Sequence, residues 1–304
     1  MKRRTFLATS ALTATAVAAA PSRLLAAPAD RSIAYPKTQI LKSLKIGMVG
    51  GGGNLTEKFQ LAKAAGFDGI EMASPGFNVD EAKTAIAETG LPIDGSVCST
   101  HWSIRHTSPD PQQRATALEH LMQAIRDTHA VGGNTVLLVI GKGEDGPEEE
   151  IIPRSQENIA KALPLAARLG VYLAIENVWN QMLYEHDGAN DQTAERFVEY
   201  VDAFNSPWVG MQFDIGNHWK YGDPAQWIRT LGKRIVKLDA KGFSRTENRF
   251  TKTMTDGDLD WQSVREALHD IGYTGWAAAE VGGGGADRLA EISQDMDVAF
   301  GINA

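Results

Sequence analysis

Cysteine is nearly missing from this chain: Cys98 is the single one in 304 residues. That excludes an intrachain disulfide and leaves stability to the core. A basic patch is missing too, since 30 Lys and Arg are scattered among 38 Asp and Glu for a formal charge of −8. Such a balance excludes a nucleic-acid partner. No run reaches the roughly 20 strongly apolar residues of a transmembrane helix. Linkers, low-complexity tracts and the composition break of a second domain are likewise lacking.

The N-terminus does carry a signal. Lys2-Arg3-Arg4 is followed by a weakly apolar Ala/Thr run to Ala20 and by Ala27-Pro28-Ala29, the layout of an export signal with a small-residue cleavage site. The paired arginines before Thr5-Phe6-Leu7 resemble a twin-arginine signal; an ordinary secretory peptide with an incidental Arg pair is the alternative. The reading is therefore an export signal at 1–29, an N-terminal extension at 30–43 lying along the outside, and a catalytic domain at 44–304. Twin-arginine export machinery becomes a partner and the periplasm or exterior the location, with no membrane contact after signal removal. Loss of Lys2, Arg3, Arg4 and Arg23, with no acid among residues 1–29, takes the charge from −8 to −12.

Beyond residue 43, short apolar runs alternate with helical spacing. Strands are expected at 44-LKIGMVG, 69-GIEMA, 93-IDGSVCS, 135-TVLLVI, 171-VYLAIEN, 209-VGMQFDI, 235-IVKLDAK and 275-GWAAAEV. Helices are expected over 55–65, 79–89, 111–131, 155–169, 193–204, 224–231, 260–271 and 286–300, several ending at a glycine such as Gly90 or Gly170. Eight strand–helix units in strict alternation predict an α/β fold, a single (β/α)8 TIM barrel. A doubly wound sheet competes through 50-GGGGN and Glu71, but Leu55 stands where a dinucleotide fingerprint needs its third glycine.

In a barrel, alternate strand residues face inward. That places Glu176, Asp214, Asp239 and Glu280 inside on four consecutive strands, near the C-terminal rim where barrel enzymes carry their sites. Four converging carboxylates repel. Lys237 and Lys241 offset part of the charge, and a divalent cation is the simpler remedy. An all-oxygen donor set suits Mn²⁺ or Mg²⁺ better than Zn²⁺. A purely structural network is the alternative.

The motifs 67-FDGIEM, 174-AIEN, 213-FDIGN, 235-IVKLDAK and 273-YTGWAAAE resemble those of the xylose-isomerase-like sugar isomerases and epimerases, a barrel superfamily that includes ketose 3-epimerases and sugar-phosphate 3-epimerases. The resemblance runs from about Leu44 to the end. It implies one divalent metal held by a Glu, an Asp, a His and a Glu on strands five to eight, and Glu176, Asp214 and Glu280 carry over. Strand seven departs, with Asp239-Ala240-Lys241 where the family usually reads His-x-Lys; His218 is a displaced candidate. The resemblance also implies proton transfer beside a carbonyl through an enediolate, with Glu176 and Glu280 as catalytic acid and base on opposite faces of the sugar.

Around this centre, His101, Trp102, Trp179, Asn217, His218, Lys241 and Glu71 are candidate substrate-binding residues; for Glu71, pairing with Lys237 is the other reading. An exported enzyme rarely meets sugar phosphates, so a free ketose, a keto-sugar or an oxidised glycoside is the expected substrate of a metal-dependent epimerase or isomerase. Two alternatives use the same residues. One is a 3-keto-glycoside lyase, in which proton removal expels the glycosidic substituent; the other is a non-catalytic periplasmic sugar-binding barrel. A homo-oligomer is compatible with the sequence.

Overall fold

The computed structural model describes residues 39–302. The expected signal at 1–29 and the first part of the expected extension lie outside these residues. Eight parallel strands close into a barrel. They are β1 Ile40–Lys45, β2 Gly69–Ser74, β3 Ile93–Cys98, β4 Thr135–Leu138, β5 Tyr172–Glu176, β6 Val209–Asp214, β7 Ile235–Ala240 and, last in the chain, β10 Gly275–Ala279. Each pairs with its sequence neighbour around the ring, and β1 closes the seam against β10. A small hairpin, β8 Phe243–Ser244 with β9 Arg249–Phe250, interrupts the run after β7.

Among the described residues ten α-helices accompany the strands: α1 Leu55–Ala64, α2 Val79–Thr89, α3 Pro111–Ala130, α4 Glu148–Ala160, α5 Leu163–Leu169, α6 Glu195–Asp202, α7 Ile215–Trp219, α8 Pro224–Leu231, α9 Trp261–Asp270 and α10 Ala286–Phe300. Local chemistry sets their ends. Asn54 and Glu57 form a capping box on α1, Asp110 caps α3 ahead of Pro111, and Asp223 caps α8 ahead of Pro224. At the other end of α2, Gly90 takes the left-handed conformation at φ 69° that a side chain would resist. No helix among the described residues is long and apolar enough to cross a membrane.

Three expectations need correction. The first strand starts at Ile40, not Leu44, because Ile40 and Leu44 are both buried under the helices and carry the strand pattern upstream. The barrel therefore begins inside the segment assigned to an outer extension, and Lys45 becomes the last residue of β1. The helix expected over 155–169 is two, α4 and α5, since Pro153 is tolerated inside α4 and Pro164 opens a new turn. The short α7 and the hairpin are additions, both at the mouth of the barrel.

The apolar core lies between sheet and helices, where Leu173, Ile175, Met211, Phe213, Leu238, Ala277 and Ala279 are buried. The barrel interior is polar by contrast. Two irregularities tune it: the β2–β3 register slips after Ile70, leaving Asp94 as an extra residue, and the β6–β7 register slips after Met211, leaving Val236 extra. Such bulges re-aim side chains next to sites.

Candidate active site

At the rim, Asn177 ties β5 to β6. Its Oδ1 accepts the Asp214 N–H at 2.8 Å and its Nδ2 donates to the Asp214 carbonyl at 2.8 Å. Asp214 in turn caps α7, its Oδ1 accepting from the Asn217 N–H at 2.7 Å. Its Oδ2 is buried with no well-aligned hydrogen bond, 2.8 Å from Lys241 Nζ. Glu280 follows β10, anchored by its N–H to the Ala240 carbonyl at 2.9 Å. Lys241 Nζ stands 3.0 Å from its Oε1, and Lys45 Nζ 3.7 Å from its Oε2, which makes no hydrogen bond. Asp239 is held differently: its Oδ1 accepts from Gln212 Nε2 at 3.0 Å and faces Lys45 Nζ at 3.1 Å.

A second layer lies beneath. Lys237, wholly buried, pairs with Glu71 at 2.6 Å and with Asp94. Glu71 also holds Lys45 at 2.7 Å and Gln212 at 3.0 Å, and Asp94 accepts from Ser43 Oγ at 2.6 Å. Lys45 thus links the two layers.

The upper layer fits a cation. One oxygen from each of Glu176, Asp214, Asp239 and Glu280 lies within 4.8 Å of the others, close enough to converge on one ion at oxygen–metal distances of about 2.0–2.6 Å. Fully ionised, the four carboxylates exceed Lys45 and Lys241 by two negative charges, which a divalent ion would neutralise in place of two protons. Asp214 Oδ2 and Glu280 Oε2 are the buried oxygens left for it. The proton affinities reflect the same crowding. Burial, then Glu280 and Asp239, pushes Glu176 well above the carboxylate range. Burial also pushes Asp239 up to about 8 and Asp214 to about 6, against the pull of Lys45 and Lys241 respectively. Glu280 is lowered, because Lys45 and Lys241 outweigh the cost of its burial.

The remaining expected contacts divide. His101 faces the centre: its Nδ1 accepts the Val139 N–H at 3.1 Å, which leaves the proton on Nε2. Burial and the charge of Lys45 hold its pKa near about 3, so it is a neutral donor. Trp102 is 44% exposed at the rim. Lys241 belongs to the centre, bridging Asp214 and Glu280 beneath the Phe250 ring at 5.0 Å. Trp179 is a pillar: Phe250 stacks on it at 4.8 Å, Lys220 Nζ lies over it at 4.5 Å, and its Nε1 donates to the Asn217 carbonyl at 2.9 Å.

Three expected contacts move. Glu71 is saturated by two lysines and a glutamine under the carboxylates, so its sugar contact gives way to the Lys237 pairing. Asn217 donates through Nδ2 to the Asn177 carbonyl at 3.0 Å and acts by positioning. His218 is buried, 3.5 Å centroid to centroid from Trp227, with Nδ1 on Tyr184 Oη at 3.0 Å. Its Nε2 lies against Gly222, away from the clustered carboxylates, because α7 turns it into an aromatic pocket. Lys45 and Asp94 are functional neighbours that the sequence pattern did not single out.

The barrel and its rim of carboxylates define the class, and a family comparison makes it specific. Residues 59–299 match the xylose isomerase-like TIM barrel family, to which this chain belongs. The L-ribulose-5-phosphate 3-epimerase UlaE of Escherichia coli O1:K1 / APEC is 26% identical over 266 residues, covering 79% of this chain and 87% of that protein. Among solved structures, a D-tagatose 3-epimerase-like protein superposes with TM-score 0.70 at 20% identity, covering 86% of this chain and 97% of that one. The 3-keto-D-glucoside 4-epimerase YcjR from E. coli does so with TM-score 0.68 at 18% identity, covering 86% and 99%.

Proposed function

We propose that this protein is an exported, divalent-metal-dependent sugar epimerase that moves a proton at a carbon next to a carbonyl. The observation that carries the reading is the convergence of Glu176, Asp214, Asp239 and Glu280 within 4.8 Å, two negative charges in excess of the lysines beside them. UlaE, a 3-epimerase by name, supports the choice of epimerisation over other barrel chemistry. A bound Mn²⁺ or Mg²⁺ would supply Lewis acidity to a carbonyl and its neighbouring hydroxyl.

The chain's own residues divide the proton work. Glu280, kept ionised by Lys45 and Lys241, takes the proton from one face of the sugar. Glu176, whose proton affinity in the metal-free chain is raised by burial and then by Glu280 and Asp239, returns one to the opposite face and inverts the centre. Two carboxyls pushed apart in proton affinity are the arrangement that acid–base pairs need. His101 Nε2 donates to a sugar oxygen, and the Phe250–Trp179 stack shields the Lys241 side from water.

The test has two parts. Purified mature protein should hold about one divalent ion per chain, lost in a Glu176→Gln/Glu280→Gln variant. It should then incorporate solvent deuterium at carbon in a free ketose or keto-sugar. A protein that stays metal-free in excess Mn²⁺ overturns the reading in favour of a non-catalytic sugar-binding barrel. Release of an aglycone with an unsaturated sugar, in place of a configurational change, marks the lyase. Periplasmic location is tested by fractionation: a chain with Arg3→Lys/Arg4→Lys should stay in the cytoplasm.

A further inference from the structure

Beside the carboxylate centre, the loops after β3, β4 and β5 enclose a cleft of about 300 Å³ lined by Trp102, Lys142, Glu144, Trp179, Asn180 and Gln181. We propose that this cleft is a second-ring subsite, so that the substrate is a keto-glycoside whose leaving or non-reacting ring rests on Trp102. This rests on the sugar-epimerase reading and names its substrate class.

The walls are built in advance. Asn180 Nδ2 donates to the Gly141 carbonyl at 2.7 Å, and the Gly143 N–H donates to the Asn180 carbonyl at 2.7 Å, lacing the β4 and β5 loops together. Gly143 sits so close to Gln181 that a Cβ there would strike its carbonyl, and Gln181 itself holds a left-handed φ of 60°. A cleft fixed this way loses little ordering entropy when filled.

Its surface selects the occupant. Trp102 stands 44% exposed, with His101 packed edge-on at 5.8 Å and Lys142 Nζ 6.0 Å from the ring. Trp179 already carries Phe250 and Lys220, so Trp102 is the platform and Trp179 the far wall. Aromatic platforms with a polar rim suit an amphipathic ring. Lys142 and Glu144 lie 3.7 Å apart, so the cleft offers a donor and an acceptor for hydroxyls with no net charge. The volume is at the small end of ligand cavities, about 300 Å³, enough for one ring and not for an extended chain. The link to the reacting centre is covalent: His101, which faces the carboxylates, precedes Trp102 in sequence.

The experiment compares 3-keto-cellobiose with 3-keto-glucose, which share the oxidised ring, on the Mn²⁺-loaded protein. Deuterium uptake should show kcat/KM about tenfold or more in favour of the disaccharide, carried mainly by KM. In Trp102→Ala the preference should collapse towards one, and Trp102→Phe should restore most of it. Equal kcat/KM for the two sugars, or a preference untouched in Trp102→Ala, overturns the subsite. If neither sugar takes up deuterium, the epimerase reading has failed, and calorimetric titration of the same two sugars still decides: tighter disaccharide binding that depends on Trp102 supports the cleft, and indifference overturns it.

Discussion

The residues of the barrel interior are distributed by how much protein already holds them. Asp214 Oδ2 and Glu280 Oε2 face only a lysine ammonium, at 2.8 and 3.7 Å, whereas Asp239 is engaged by Gln212 as well as by Lys45. Asp239 should therefore contribute less to cation affinity than Asp214. Titration of Mn²⁺ should show Asp239→Asn weakening binding by about tenfold, within the range for partners that orient a ligand, and Asp214→Asn by much more. Equal losses would mean that Gln212 and Lys45 do not weaken Asp239 as a ligand. Below, Lys237 is the wholly buried counterion of Glu71 and Asp94. Lys237→Met leaves Asp94 without a cation and Glu71 with Lys45 alone, and should destabilise by about 3–5 kcal/mol in denaturant titration. Adding Asp94→Asn should recover part of that loss. Inward alternation alone made Glu176, Asp214, Asp239 and Glu280 legible in the sequence, because each ends an apolar strand. Lys45 was hidden by a strand start placed four residues late, which put it at the wrong end of the barrel. Asp94 was hidden by a bulge that no periodicity announces.

At the scale of elements, seven strands and most helices could be read from apolar runs bounded by caps and glycines. The hairpin could not, since Arg249 is exposed and 243–250 reads as polar loop; its order comes from Phe250 stacking on Trp179 across the mouth. The seam between β1 and β10 shows what the glycine runs do. Gly50 donates to the Gly284 carbonyl at 2.8 Å, and Gly284 to the Met48 carbonyl at 3.1 Å. A Cβ on Gly283 would run into the Met48 carbonyl, and one on Gly50 into the Gly284 backbone. These glycines are for close backbone approach, not for nucleotide binding. Gly283→Ala should accordingly destabilise by about 1–3 kcal/mol, the range for forced overpacking. Gly282→Ala, with open space around it, should leave the melting temperature nearly unchanged. Similar melting temperatures for the two would mean that the seam is not closed by this packing.

For the whole molecule, the excess of buried acid ties stability to pH and to metal together. Without a cation, the folded chain keeps Asp239 protonated up to about 8 and Glu176 higher than an ordinary carboxylate, while the unfolded chain ionises both near about pH 4. Between about pH 7 and 9 the folded state therefore binds more protons than the unfolded one, and stability falls as pH rises. His101, His106 and His218, all with depressed pKa values, are neutral in the folded state, and above about pH 7 the unfolded chain holds too few protons on them to reverse the effect. Below about pH 6.5 they act in the other direction, since the unfolded chain gains protons there that the buried rings refuse. Cation binding displaces the carboxyl protons, so its affinity should grow over the same window. Melting curves in EDTA should move to lower temperature from about pH 7 to 9, and the upward shift on adding Mn²⁺ should widen, following the ratio of free ion to Kd. A flat EDTA profile would mean that Lys45 and Lys241 already balance the acids. A metal shift that does not grow with pH would remove the protonated carboxylates from the cation site.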